Sequence, residues 1–250
     1  MTTFIKWLGH ATVLLNEGDT WLLTDPILRR RVAHLMRRKP MLQEDWPERV
    51  DAVLISHLHQ DHLDLPSLRK LGRDKPIFVP RGAGSWLSSK GFSNVAELAV
   101  GASMKIEDMT ISAVPAYHSG HRPPFGPTAE TVGYLMEGAR TTYFAGDTEL
   151  FPGMSRVADN IDIALLPIWG WGPTLGDGHL DPLQAAQACR MLKPRVAIPI
   201  HWGTLHPITS ALGKLDFLTE PPEQFERAAT HLAPETEVCV LRPGDEVVFG

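Results

Sequence analysis

One run of six residues constrains this chain more than any other feature of its sequence. Residues 57–62 read His-Leu-His-Gln-Asp-His, so four side chains that can bind a metal fall within one short stretch. With 11 histidines in 250 residues, a His-x-His-x-Asp-His run is expected by chance in roughly one of a thousand such chains. The run therefore predicts a metal site, and the chain must fold so that further ligands lie beside it.

A predicted strand leads directly into this motif. Residues 52–55 form a short apolar run, which is typical of a strand buried on both faces. His57 and His59, two residues apart on an extended loop, can converge on one ion, while Asp61 and His62 can point back toward a second ion. Because the motif lacks cysteine, a closed structural zinc site of the finger type is disfavoured. Imidazole and carboxylate ligands suit zinc, manganese or iron, so the motif predicts an open catalytic site.

Three more candidate ligands each follow another apolar strand. His118 comes after residues 111–117, Asp147 after residues 143–146, and His201 after residues 197–200. Singly, such a residue is more often a cap, a turn former or a satisfied polar group than a ligand. Together with the motif they form one predicted ligand set: His57, His59, Asp61, His62, His118, Asp147 and His201.

Apolar and alternating runs predict strands, and helices are predicted between them. The helix over residues 182–192 has the clearest signals, because Asp181 can cap its start and Lys193-Pro194 ends it. Strands are predicted at 12–15, 21–23, 52–55, 77–79, 110–114, 131–136, 163–167 and 196–200, with a strand pair at 237–241 and 246–249, and helices at 65–71, 84–90, 152–158, 182–192 and 222–232.

This order of elements favours sheets covered by helices over an all-β barrel. No internal repeat, low-complexity tract or Ser/Gly-rich linker divides the sequence. A single domain over residues 1–250 is therefore the simplest expectation.

Composition and charge narrow the environment and the partners. The hydrophobic fraction of 43% and the charged fraction of 21% are ordinary for a soluble globular protein. The net charge of -5 argues against nonspecific binding of polyanions, so nucleic acid is not an expected partner. We find no secretory signal pattern and no run as long as a membrane span, and we expect a cytoplasmic location. Cys189 and Cys239 are expected to be reduced and buried.

Characteristic words surround the candidate ligands. They are Trp-Leu-Gly-His-Ala-Thr (7–12), Thr-Asp-Pro (24–26), Ser-His-Leu-His-Gln-Asp-His-Leu-Asp (56–64), Phe-Ala-Gly-Asp-Thr (144–148), His-Leu-Asp-Pro (179–182) and Ile-His-Trp-Gly (200–203). With the ligand set, these words resemble the metallo-β-lactamase superfamily, and most closely its N-acyl-phosphatidylethanolamine phospholipase D branch. The resemblance covers residues 7–203.

The resemblance implies an α/β fold of the α+β kind, a four-layer αβ/βα sandwich with a dinuclear metal site at the edge of its sheets. It also implies a role for each candidate residue. His57, His59 and His118 would hold the first ion, Asp61, His62 and His201 the second, Asp147 would bridge them, Asp25 would orient a ligand from behind, and His179 would face the substrate.

The expected activity is hydrolysis of a phosphodiester, of the phospholipase D type. Two divalent ions are expected, zinc in preference to manganese or iron. They can share a water and lower its pKa toward about 7, which gives a bridging hydroxide at neutral pH. His179 is the candidate proton donor or substrate-orienting residue, with a solvated loop histidine as the equal alternative. Asp61 is counted as a catalytic residue as well as a ligand.

Other functions stay open at this point. A lactonase or another ester hydrolase of the same superfamily would use the same hydroxide on a carbonyl carbon. An inactive metal-binding or sensor protein would keep the fold without the reaction. The expected partner is a small-molecule or lipid-like substrate, and the sequence leaves both the oligomeric state and peripheral membrane contact undecided.

Three weaker features have plain interpretations beside functional ones. The basic segment 29–39 is interpreted as a solvated helix face, with contact to phosphate or a membrane as the alternative. The loop aromatics Trp86, Phe125 and residues 169–171 either wall an apolar substrate pocket or pack under their loops. Five further histidines are interpreted as plain polar residues outside the ligand set: His10, His34, His121, His206 and His231. The alternatives are that His10 hydrogen-bonds near the site and that His206, close after His201, supports a ligand from behind.

Overall fold

Two seven-stranded sheets form the centre of the protein. The computed structural model describes residues 2–40, 46–209 and 216–250. With strands numbered along the chain, the first sheet contains β1 (Thr3–Gly9), β2 (Thr12–Glu17), β3 (Thr20–Thr24), β6 (Ala52–Leu54), β7 (Ile77–Pro80), β8 (Val95–Leu98) and β17 (Glu246–Phe249), in the order β17-β1-β2-β3-β6-β7-β8.

The second sheet repeats this plan with a later part of the chain. It contains β9 (Ser103–Ile106), β10 (Met109–Pro115), β11 (Val132–Glu137), β12 (Thr141–Phe144), β13 (Ile163–Pro167), β14 (Val196–Ile200) and β16 (Glu237–Val238), in the order β16-β14-β13-β12-β11-β10-β9. A small third sheet joins β15 (Leu205–Pro207), β5 (Leu35–Arg37) and β4 (Arg31–Val32).

Each large sheet has a parallel part, and these parts place the candidate ligands. Strands β3, β6, β7 and β8 run parallel in the first sheet, and β12, β13, β14 and β16 run parallel in the second. Loops at the carboxyl ends of parallel strands meet at one edge of a sheet, where ligands bind in open α/β folds. The His-x-His-x-Asp-His loop follows β6, Asp147 follows β12 and His201 follows β14.

The described residues contain four α-helices, and all but the second begin at a side-chain cap or a proline. They are α1 (Leu65–Leu71), α2 (Gly84–Ser89), α3 (Pro182–Leu192) and α4 (Pro221–Leu232). At the start of α3, Asp181 and Gln184 form a reciprocal capping box, and Lys193 ends the helix in the left-handed conformation. Asp64 caps α1 by accepting from the Ser67 amide.

Two groups of buried side chains hold these layers together. One joins the facing sides of the two sheets, with Trp7 on one sheet and Phe144 on the other, and continues to Ala185 and Phe225 on α3 and α4. The other packs α1 and α2 against the first sheet. The architecture is therefore a mixed α/β sandwich of two sheets with helices outside, as predicted.

The strand pair predicted at the end of the chain is wrong. The segment from Glu237 is a strand only to Val238, and it joins β14 in the second sheet, whereas β17 joins β1 in the first. Local apolar patterning predicts extended backbone, but the partner of a strand depends on contacts with distant residues. The two segments therefore lie at the edges of different sheets.

Two predicted helices are also wrong. Residues 152–158 contain only a short 3₁₀ turn, Met154–Arg156, because Gly153 before it is left-handed with φ 96°. The basic segment 29–39 is a hairpin of β4 and β5, with Ala33 at its tip at φ 49°. Strands β1, β8, β9 and β15 were not predicted from the sequence.

The remaining expectations concern cysteines and membrane spans. Cys189 and Cys239 are free thiols, but only Cys189 is buried, and Cys239 is half-buried. No helix in the described parts of the chain has the length and hydrophobicity needed to cross a membrane.

Candidate metal centre

The first group of candidate ligands lies on the motif loop and on the loop after β10. The ring nitrogens of His57, His59 and His118 lie within 4.8 Å of one another, and His118 Nε2 lies 3.0 Å from His59 Nδ1. His118 Nδ1 donates to the Gly178 carbonyl at 2.8 Å, and His57 Nδ1 donates to Ser56 Oγ at 2.9 Å. Both side chains are therefore held by their outer nitrogen, which leaves Nε2 facing inward.

The second group is more deeply buried. His62 Nε2 lies 3.1 Å from His201 Nε2, and Asp61 belongs to the same cluster. His62 Nδ1 donates to Asp25 Oδ2 at 2.7 Å, and His201 Nδ1 donates to the Trp169 carbonyl at 2.7 Å. A carboxylate behind a histidine fixes its tautomer and increases its basicity as a ligand.

Asp147 lies between the two groups. Its Oδ2 atom is 3.1 Å from His62 Nε2 and 3.9 Å from His57 Nε2, and its Oδ1 atom is 3.2 Å from His201 Nε2. One carboxylate therefore contacts members of both groups. This is the arrangement that a bridging ligand requires.

The chemistry of these side chains fits metal ions. His57 Nε2 and Asp147 Oδ1 are buried and have no hydrogen-bond partner among the described residues, although buried polar atoms are nearly always paired. His62 and His201 use Nδ1 as a donor, so their neutral forms point two Nε2 lone pairs at each other. Bound cations would satisfy all four atoms, so these residues fit metal ions.

The charges of the centre favour the same interpretation. Burial lowers the pKa of His57 and of His201 well below the usual value, so both are neutral, as ligands must be. Burial raises the pKa of Asp147, but His201 and His62 outweigh it and bring that pKa well below the usual value. For His62 burial lowers the pKa, yet Asp147 and Asp25 raise it well above normal. The centre therefore attracts positive charge.

Asp25 lies behind the centre, at the position that the resemblance implied. Besides holding His62, it accepts from the Ser56 amide at 2.7 Å and from Ser56 Oγ at 2.6 Å. The Ser56 hydroxyl thus links His57 to Asp25 and, through it, to His62. Sequence analysis assigned no role to Ser56, although a hydroxyl directly before the first candidate ligand was the available signal.

His10 is not the plain polar residue that the sequence analysis preferred. It is almost fully buried, its Nε2 atom donates to Asp61 Oδ2 at 2.9 Å, and its ring centroid lies 3.9 Å from that of His201. Its ring nitrogen also belongs to the cluster of Asp61, His62 and His201. The available signal was its place in the Gly-His-Ala-Thr word.

The backbone is strained where it supplies these side chains. His10, Asp25 and His201 have φ angles of 55°, 33° and 63°, which residues other than glycine rarely adopt. Gly146, just before Asp147, has φ 62°, and a Cβ atom there would lie 2.6 Å from the Ser56 Cβ. Only glycine therefore lets the Asp147 loop approach the motif this closely.

His179 lies on the open side of the centre. Its Nε2 atom is 3.5 Å from Asp147 Oδ2, and its ring centroid is 4.7 Å from that of His118. The carbonyls of Gly176 and Asp177 accept from Nδ1 at 3.0 and 3.1 Å. Burial lowers the pKa of His179, but the hydrogen bond and charge of Asp147 outweigh it and raise the pKa to about 9. His179 is therefore held in place rather than free in a loop.

The loop aromatics divide between packing and the surface. Trp86 packs against another side chain, because the Arg122 guanidinium lies over its ring, 4.9 Å from the ring centroid. Trp171 contacts the ring of His34 at 5.0 Å, which places the hairpin tip beside the loop that supports His201. The Phe125 side chain is 96% exposed.

The other histidines lie outside the ligand clusters found among the described residues. His121 is exposed and lies 3.4 Å from Thr128 Oγ1, and His206 donates to the Pro207 carbonyl. His231 is in the last turn of α4. Their interpretation as plain polar residues is consistent with these positions.

Comparisons with known proteins identify relatives along most of the chain. Residues 20–202 match the family model of the β-lactamase superfamily domain. A metal-dependent hydrolase of Koribacter versatilis is 33% identical over 228 residues, which cover 86% of this chain and 91% of that protein. The N-acyl-phosphatidylethanolamine-hydrolyzing phospholipase D 1 of Caenorhabditis elegans is 30% identical over 250 residues, which cover 89% of this chain and 68% of that protein.

The fold is also similar to solved structures. A metallo hydrolase from the archaeon Ignicoccus hospitalis matches with a TM-score of 0.77 at 24% sequence identity, over 100% of this chain and 99% of that chain. At this identity the likeness supports the fold alone.

Proposed function

The chain belongs to the metallo-β-lactamase superfamily and is a metal-dependent hydrolase, and from this premise we propose that it hydrolyses a phosphodiester with two divalent ions, zinc first among them. The observation that carries the proposal is the position of Asp147. It contacts members of both histidine groups, and His179 lies beside it on the open side. These contacts support a centre in which Asp147 is shared by two cations and His179 meets the substrate.

Two bound divalent ions would lower the pKa of water to about 7 and neutralise charge on a substrate oxygen. We assign the first ion to His57, His59 and His118, the second to Asp61, His62 and His201, and Asp147 to both. Asp25 and His10 act on this set from behind, because they hold His62 and Asp61 by hydrogen bonds of 2.7 and 2.9 Å. Ligands whose orientation is fixed in advance need no rearrangement during the reaction.

His179 is the residue proposed to serve the leaving group. Hydrolysis of a phosphodiester adds water across one P–O bond, and the departing alcohol needs a proton. His179 does not belong to either main ligand group, its side chain is 20% exposed, and its Nδ1 is fixed by two carbonyls. Its Nε2 can therefore donate to the leaving oxygen or hold a phosphoryl oxygen.

Two observations favour a phosphodiester with an apolar part. The relative from Caenorhabditis elegans is a phospholipase D that acts on N-acyl-phosphatidylethanolamine. Exposed apolar side chains also lie close to the ligands along the chain: Tyr117, directly before His118, and Phe125. The Phe125 loop is tied to the motif loop, because Arg122 donates to the Leu58 and Leu63 carbonyls.

A substrate panel on a metal-analysed preparation tests this proposal. Metal content is measured by mass spectrometry, and the same sample is assayed with bis(p-nitrophenyl) phosphate, an N-acyl-phosphatidylethanolamine in mixed micelles, a γ-lactone, a thioester and a β-lactam. We expect about two ions per chain and cleavage of the phosphodiesters above all others. Turnover of the lactone or thioester without any phosphodiester cleavage refutes the substrate class, and an inert, metal-loaded sample refutes the activity.

A further inference from the structure

A cavity of about 740 Å³ lies outside the metal centre. None of the candidate metal ligands lines it. Its walls come from the end of β5, the loop after His201, the first turns of α4 and the segment before β17. Cavities that hold small organic molecules usually measure about 300–1,000 Å³, so this one has a suitable size for a ligand larger than a single ion.

The most unusual side chain in this cavity is Arg37. It is only 5% exposed, and its Nη atoms donate to the Leu8 and Ile27 carbonyls at 2.8 and 2.9 Å. Its Nε atom has no hydrogen-bond partner, and Arg37 forms no ion pair with a carboxylate of the described residues. Burial alone lowers the pKa to about 10, so the guanidinium keeps its charge at neutral pH. A buried charge without a counter-ion is costly.

Three exposed basic side chains surround Arg37 in the lining: Arg38, Lys39 and Arg242. In the described part of the chain, none of the three has a side-chain hydrogen bond or ion pair. Three acidic residues also line the cavity. Glu223 pairs with Arg227, and Asp245 accepts from the Arg242 amide but keeps its charge. The lining therefore carries four basic and three acidic side chains.

We propose that this cavity binds a small organic anion through a phosphate or carboxylate group. A guanidinium matches the geometry of both groups and binds them with charge-assisted hydrogen bonds. The ligand supplies the counter-ion that Arg37 lacks, and the three exposed cations hold it at the entrance. This inference does not depend on the substrate proposed above.

The cavity is connected to the metal centre by short contacts. Arg37 holds the Leu8 carbonyl, and Thr204 Oγ1, also in the lining, accepts from the His10 amide at 2.7 Å. Gly9 between them has φ 107°, and a Cβ atom there would lie within 2.9 Å of both Thr204 and Arg37. His10 in turn donates to Asp61, a candidate metal ligand. An anion bound at Arg37 therefore lies beside the backbone of residues 8–10, which positions His10.

Binding of inorganic phosphate to the metal-loaded protein tests the proposal. Equilibrium dialysis with radiolabelled phosphate gives the number of sites and the Kd of each. The cavity variant is Arg38→Gln/Lys39→Gln/Arg242→Gln. The control variant, Arg69→Gln/Lys105→Gln/Arg190→Gln, loses the same charge from exposed residues that do not line the cavity. Metal content and circular dichroism check that both variants fold.

The unaltered protein and the control variant are expected to bind one phosphate per chain more tightly than the cavity variant, by at least fivefold in Kd. Phosphate held at the metal centre does not change between the three. A cavity variant whose phosphate sites all bind within fivefold of the unaltered protein overturns the proposal.

A second measurement uses only the unaltered protein, in case the cavity variant does not fold. Phosphate is expected to slow the acetylation of Lys39 by acetic anhydride at least fivefold, with exposed Lys105 as the internal reference in peptide mass spectrometry. Equal slowing of both lysines, or of neither, overturns the proposal.

Discussion

The two halves of the metal centre are supported by different chemistry. We call His57, His59 and His118 the open half, and Asp61, His62 and His201 the closed half. In the open half, His59 and His118 are partly exposed, and the outer nitrogens of His57 and His118 donate to a hydroxyl and a carbonyl. In the closed half every member is buried. There the Asp25 carboxylate accepts a hydrogen bond from His62, and the His10 imidazole donates one to Asp61.

Because of this difference, the closed half is suited to binding metal and the open half to admitting solvent and substrate. Charged hydrogen bonds are stronger than neutral ones, so a cation bound in the closed half would be held more tightly than one in the open half. The open half is the side from which solvent and substrate can arrive, and His179 stands there against His118. One set of histidines can therefore serve two purposes, depending on the group that hydrogen-bonds to the outer nitrogen of each ring.

The largest effect is expected from Asp147→Asn, because Asp147 belongs to both halves. Losing its charge should release metal from the open and closed halves together and lower turnover by roughly 10³-fold. Metal content and phosphodiester hydrolysis measure this, with exposed Glu149→Gln as the matched control. If one ion per chain stays bound at full affinity, Asp147 serves one half only.

A smaller effect is expected from His179→Ala on the open side. Turnover should fall by about 10²-fold, the usual loss when a general acid is removed, while metal content stays unchanged. Exposed His121→Ala is the control. Unchanged turnover would remove His179 from the mechanism, and a loss of metal would make it a ligand of the open half.

The smallest of the three effects is expected from Asp25→Asn, behind the closed half. Without its carboxylate, His62 is a weaker ligand, and metal affinity should fall by about 10–100-fold at one of the two sites. Competition with a chelator measures the two affinities separately, and exposed Asp19→Asn is the control. Equal weakening of both sites would show that Ser56, which joins His57 to Asp25, couples the halves.

Most of the local structure was predictable from the sequence. The bounds of α1, α3, β13 and β14 agree with the prediction, because caps, prolines and apolar runs act on near neighbours. The end of the chain was not predictable in this way. β16 and β17 have similar local patterns, and only contacts with β14 and β1 assign them to different sheets.

The candidate site, too, was predictable from the sequence only in part. The motif loop and the ends of three other strands pointed to seven side chains, which the structure brings together. The sequence analysis favoured a plain polar role for His10 and gave Ser56 no role, although His10 lies in the Gly-His-Ala-Thr word and Ser56 directly precedes the motif. Their roles depend on Asp61 and Asp25, which are 51 and 31 residues away in sequence.

The sequence by itself determined the fold class and which side chains can bind metal, because both follow from residue chemistry and short-range patterning. Only the tertiary structure decided which carboxylate, hydroxyl or carbonyl stands behind each imidazole, and that Arg37 is buried without a carboxylate partner among the described residues. The physical reason is that hydrogen bonds and ion pairs act over a few ångströms, and folding alone brings distant residues within that range.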